Sequence, residues 1–295
     1  MGDTSDWTYV QGAINFAIEN GRSAINLPRG TYSLEKALIF KDCHDIIFEG
    51  NGSRLVFTEM TNSGIVLQAT RNITFQNFTE EWDPLPCSQG KIIAIDSVNQ
   101  IVDIEIEPGY NTDISKFTKG TMLHVFDHVT RRFKIGGGIG NIERIESPRP
   151  GVLHAYYSGK GGWHFQGRPL VGDLVFIKPI AQLDTRKING LVASGASGTQ
   201  INNVTIFNGP GWGILEGGGE GGTVINNLSV LRGPRPKGAT TDPLISTIGT
   251  AVQSDGVKKG PRIENSHFEF MGDDGINIFG LFNKIISVNG NEITS

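Results

Sequence analysis

A short phrase recurs near the end of the chain. Ser254-Asp255-Gly256-Val257 is followed 19 residues later by Asp273-Asp274-Gly275-Ile276. This repeat constrains the fold strongly, because one coil of a parallel β-solenoid uses roughly 20–25 residues. Residues one coil apart sit on neighbouring strands about 4.8 Å apart. On that register Asp255 and Asp274 stack, with Asp273 beside them where the earlier coil carries Ser254. Three carboxylates on one ledge repel each other and perturb one another's protonation, which suits acid/base chemistry better than stability.

The register extends backwards. Pro210-Gly211-Trp212-Gly213-Ile214 places Trp212 in the column of Asp255 and Asp274, and Ile206 and Phe268 each precede an Ile by eight residues. An aromatic ring beside carboxylates suits a sugar, whose C–H face stacks on the ring while its hydroxyls bond the charges. Between Gly233 and Ala251 the chain leaves the coil and returns just before Asp255. That excursion is expected to overhang the ledge and to offer Arg235, Lys237 and Asp242 to sugar hydroxyls. Pro234 and Pro236 stiffen it, so it reads as a preformed wall.

Elsewhere the pattern is of short strands and turns. Val10, Ala13, Ile14 and Ala17 have helical spacing, and Gly21 ends that run as a C-cap. Alternating strands follow, with Ile47 and Ile73 in like positions 26 residues apart. Coils are therefore expected over 1–87, behind a capping helix that covers the end of the stack. Over 88–180 the rhythm is replaced by a hairpin, Lys91–Ile95 with Val102–Ile106, and by further strands around Gly136-Gly137-Gly138, a sharp turn on this reading. This is expected to be an inserted antiparallel, barrel-like domain. The solenoid resumes over 181–295.

Composition narrows the partners. The 40 glycines fit many turns, and a net charge of −4 with no basic stripe argues against nucleic acid. No apolar run reaches the roughly 18–20 residues of a membrane span. Met1 to Asp6 is polar and acidic, unlike a secretory leader. The carbohydrate reading implies an extracellular protein whose leader is absent from this chain. Cys43 and Cys87 read as buried free thiols, and His124 and His128, four apart, read as a strand and its exit and not as a metal pair. Five Asn-x-Ser/Thr triplets begin at Asn51, Asn72, Asn77, Asn203 and Asn227. Asn favours coil corners in the left-handed backbone region, which alone generates such triplets.

Several blocks carry a resemblance. Asp6 to Leu34, with its L-P-x-G-T-Y turn, resembles the pectate-lyase superfamily of right-handed parallel β-helices. More narrowly, Trp82-Asp83-Pro84-Leu85-Pro86 with Ser88-Gln89-Gly90, the Gly-rich Glu216–Gly222, Arg232–Pro236 and the run from Ser254 to Asn277 are similar to glycoside hydrolase family 110, the α-1,3-galactosidases. The resemblance implies an all-β, right-handed β-helix acting as an inverting glycosidase on terminal α-galactosyl residues, with neither metal nor cofactor. Asp255 would be the general acid, while Asp273 and Asp274 would hold and deprotonate the water. Inverting enzymes separate the two carboxyl functions by about 6.5–9.5 Å. Trp212, Glu216, Arg232, Arg235 and Asn277 are expected to bind the sugar. Phe279 stands where the family pattern has His, and the chain stops 21 residues beyond Asp274, which implies an exposed last coil. The alternatives are a polygalacturonase-like hydrolase, without its usual G-H-G and R-I-K motifs, and a β-helix that binds carbohydrate without turnover.

Overall fold

Each extended run has one apolar face to bury, and the computed structural model shows two parallel sheets burying those faces against each other. The structure describes residues 6–113, 115, 122–139, 142–157, 169–178, 188–280, 286–290 and 292–294. In the first sheet Ala24–Asn26 and Thr31–Leu34 both pair with His44–Phe57. Arg71–Trp82, Gln200–Phe207 and Val224–Leu231 follow, and Arg262–Glu264 and His267–Phe268 end it. The second sheet runs Leu38–Lys41, Ile65–Gln68, Leu191–Ser194, Ile214–Gly217, Val252–Asp255, Ile276–Phe279. Every pairing in both is parallel, and the chain alternates between them. The protein is mostly β, and its parallel sheets are consistent with a β-helix.

Inward columns hold the stack together. Phe48, Phe75, Ile201 and Ile225 are level on successive strands and fully buried. Phe40 meets Phe75 edge-on at 5.2 Å between ring centroids. Burying each such side chain stabilises the fold by about 1.5–3 kcal/mol. The apolar column next to Phe48 runs through Ile46 and Ile73, whereas Ile47 is level with Thr74 and faces solvent. The expected pairing of Ile47 with Ile73 is therefore corrected by one residue. Side chains alternate faces, so a slip of one exchanges core for surface.

The corner asparagines behave as read. Asn51, Asn72, Asn77, Asn203 and Asn227 all have positive φ, between 51° and 61°. Asn203 Nδ2 donates to Asn77 Oδ1 at 2.8 Å and Asn227 Nδ2 donates to Asn203 Oδ1 at 3.1 Å, a ladder one rung per coil. Turn geometry alone accounts for those triplets.

The helix Asp6–Glu19 covers the first strand of both sheets. Val10, Ile14 and Ala17 are buried. The Gln11 amide bonds the strand backbone both ways, receiving from Ile39 N at 2.8 Å and donating to Ile39 O at 3.0 Å, while Asp6 receives Ser33 N at 2.7 Å. An edge that would otherwise recruit another strand is thereby closed.

All antiparallel strands of the third sheet lie between Ser88 and Lys178, ordered Phe133–Ile139, Met122–Phe126, Leu174–Lys178, Ser88–Asp96, Ile101–Ile106, Val152–Tyr157, Ile142–Arg149. The hairpin is present. Gly136–Gly138, expected as a sharp turn, lie within the strand Phe133–Ile139, whose pairing slips between Phe133 and Gly138. Among the described residues the pairing path is open at both ends instead of closing into a barrel.

Candidate functional site

The chain crosses from the first sheet to the second along one edge of the stack, through 58–64, 83–190, 208–213, 232–251 and 269–275. The antiparallel sheet, the excursion and the Asp273-Asp274 turn therefore all emerge on that edge. Return crossings, such as 218–223 and 256–261, leave by the opposite edge. Asp255 ends its strand and belongs to that other side.

Register makes the separation explicit. Val252 is level with Ile276 and Asp255 with Phe279, an offset of 24 residues where the sequence repeat suggested 19. Ala251 N donates to Asp274 O at 3.1 Å and Gly213 N to Thr250 O at 3.0 Å, so the ladder continues below the strands. The column through Asp274 thus contains Thr250 and Trp212, and Asp255 lies five residues further along. At about 3.3 Å per residue that is roughly 17 Å. The expected stacking of Asp255 on Asp274 is corrected on this ground. The two Asp-Gly phrases serve different turns: Gly256 has φ +61° and ends a strand, whereas Asp274-Gly275 leads into one. The apolar equivalences hold, with Ile206, Val230 and Phe268 level, and Ile214, Val252 and Ile276 level.

Asp273 and Asp274 are exposed side by side. Asp274 N donates to Asp273 Oδ1 at 3.1 Å, and Asn277 Nδ2 donates to Asp274 Oδ2 at 3.3 Å. Gly272 fixes the turn, because a β-carbon there would lie 2.4 Å from Ile248 O. Trp212 is half-buried, two strands away in the same column; its backbone N–H donates to Asn189 Oδ1 at 2.8 Å. Part of its indole lies against Gly249, where a β-carbon would come within 2.6 Å.

The other expected sugar ligands are engaged elsewhere. Glu216 shares the inward face of its strand with Ile214, as period-two alternation requires. It is buried, receiving Thr223 N and Ser254 Oγ at 2.9 Å each. Arg232 lies over the Phe270 ring at 3.8 Å, and Arg235 pairs with Asp242 at 2.6 Å. The excursion is not an overhanging wall along its whole length: Leu244, Ile245 and Ile248 are buried against Phe126, Leu174, Phe176 and Ile188.

Sequence reasoning missed Lys178. It ends the strand Leu174–Lys178, and burial lowers its pKa, an effect the nearby Asp273 carboxylate opposes. The only hint in the sequence was a cation ending an apolar run. On the neighbouring strand His124 is packed between Phe133 and Phe176, and burial pushes its pKa down to about 4. His128 lies in the following turn. Asp127, His128 and Asp173 bring possible ligand atoms within 4.8 Å of one another. However, Asp173 is paired to Lys134 at 2.7 Å and Asp127 caps its own turn. Cys43 and Cys87 are free thiols.

No protein-family model matches the chain, and no curated protein does. Among solved structures it is similar to the Gp54 tailspike of Acinetobacter baumannii bacteriophage AP22, determined in complex with A. baumannii capsular saccharide. Identity is 11%, over 89% of this chain and 43% of the tailspike, with a TM-score of 0.21. The chain spans less than half of that protein's length. A likeness of this size adds nothing to the fold read from the strand ladders.

Proposed function

We propose that this chain is a carbohydrate-active right-handed parallel β-helix that takes the terminal sugar of a glycan on the ledge formed by Trp212, Asp273, Asp274 and Asn277. The carrying observation is that one edge of the stack gathers an adjacent carboxylate pair, an aromatic in the same column, and the walls made by the antiparallel sheet and the excursion. The finer reading, supported by the sequence resemblance, is an inverting glycoside hydrolase removing α-galactosyl or similar residues. In it Asp273 and Asp274 hold and deprotonate the attacking water. The resemblance gives Asp255 as the proton donor, but the strand register sets that residue on the opposite edge, so in this reading the leaving oxygen on the ledge takes its proton from solvent.

A second reading, sugar binding without turnover, is favoured by one observation: Asp255 stands on the opposite edge, beyond the separation an inverting pair uses. A screen against aryl α-galactosides and galacturonan, with product stereochemistry followed by NMR, decides between them. The hydrolase reading expects α-galactoside cleavage with inversion. Binding with no product from either substrate supports the second reading. Neither binding nor cleavage refutes both.

A further inference from the structure

Three coils before the ledge, the same edge opens into a cleft of about 560 Å³. That volume lies in the range of small-molecule sites, about 300–1,000 Å³. Its lining comes from four separate segments: Glu59 follows the strand His44–Phe57, Asp83 begins the crossing into the antiparallel sheet, Tyr110 and Asn111 follow Ile101–Ile106, and Lys237 comes from the excursion.

The walls are fixed within the protein. Tyr110 Oη donates to Thr241 O at 3.0 Å. The carbonyl of Asp242 accepts from Gln89 Nε2 at 3.1 Å and Arg131 Nη2 at 2.9 Å, while its carboxylate pairs with Arg235. Gly109, at φ +84°, packs so tightly on the excursion that a β-carbon would lie 2.4 Å from Ala239 N. A cleft held this way loses little entropy on binding.

We propose that this cleft holds inner sugars of the same neutral glycan whose terminal residue sits on the ledge, an inference that rests on the carbohydrate reading above. Glu59 and Asp83 accept hydroxyl protons, Lys237 donates, and Asn111 does both. With three exposed carboxylates, Glu59, Asp83 and Asp113, to one ammonium, the lining disfavours uronate or sulfated chains. The strand ladder places Glu81 level with Phe207 and Leu231, and Val230 level with Phe268. Cleft and ledge are thus three strands apart, about 14 Å, along one continuous edge. A chain of several sugars bridges them.

The test is calorimetric titration with galactose and a series of longer, neutral galactose-terminated oligosaccharides, against wild type, a Glu59→Gln/Asp83→Asn double variant, Lys237→Met and Asp274→Asn. Affinity of the wild type is expected to rise with length by at least about tenfold. Both cleft variants should bind galactose as wild type does and lose the gain from length, while Asp274→Asn weakens every member of the series. A wild-type affinity independent of length, cleft variants that keep the gain, or equal binding of a uronate series overturns the cleft while leaving the ledge standing. No binding of any saccharide by the wild type removes the carbohydrate reading, and the cleft with it.

Discussion

Replacing Glu80 by Gln is expected to stabilise the protein, and by more as the pH rises. Glu80 lies on the inward face of Arg71–Trp82, 1% exposed, beside Gly64, where a β-carbon would collide with its Oε1. That oxygen has no hydrogen-bond partner among the described residues. Burial raises its pKa to about 8 from the ordinary 4.5. The folded state therefore keeps the proton that the unfolded chain loses. Its contribution is intact below about pH 4.5, declines as pH rises toward 8, and levels off above that. A tenfold difference in proton affinity between the folded and unfolded chain is worth about 1.4 kcal/mol, so the loss across this window is about 3–5 kcal/mol. The amide has the shape of the neutral acid and no charge to bury. Denaturant unfolding at several pH values should show the variant matching wild type near pH 4.5 and exceeding it by several kcal/mol at pH 8. Parallel pH profiles would mean that Glu80 is paired or hydrated in solution.

The second large effect concerns the excursion. Leu244→Ala and Ile248→Ala should each lower the unfolding free energy by about 2–4 kcal/mol, because both side chains are about 1% exposed in a cluster joining the excursion to the antiparallel sheet. Arg235→Ala, which breaks only an exposed ion pair, should cost under about 1 kcal/mol. Denaturation midpoints of the three variants check this ordering. A marked loss of stability in Arg235→Ala alone would show that the segment is held by its charges and not by its apolar anchors.

This segment also shows what the sequence could and could not convey. Its prolines and charges announced a loop, while Leu244, Ile245 and Ile248 carried no periodicity, because they pack against a sheet distant in sequence. The coil strands were legible where aliphatic residues alternate, as at Val204 and Ile206. So was the capping helix with its Gly21 terminus. Register was legible only from the inward columns: the eight-residue spacing of Ile206 to Ile214 and Phe268 to Ile276 was sound. The Asp-Gly repeat misled because identical residues served a strand exit at Gly256 and a strand entry at Gly275. Glu216 misled through its glycine-rich context, although its spacing from Ile214 already placed it on the inward face. Lys178 was hidden because its neighbour Asp273 is contributed by a crossing turn distant in sequence.

On the proposed reading, sugar chemistry belongs to the edge carrying Asp273 and Asp274 and not to the edge carrying Asp255. Side-by-side titration of Asp274→Asn and Asp255→Asn with an α-galactoside, followed for both binding and cleavage, tests it most directly. Asp274→Asn should lose binding or turnover by at least about tenfold while Asp255→Asn stays near wild type. If Asp255→Asn abolishes cleavage, leaves binding intact, and regains rate on an aryl glycoside with a better leaving group, Asp255 is the proton donor and the separation of the two edges is wrong.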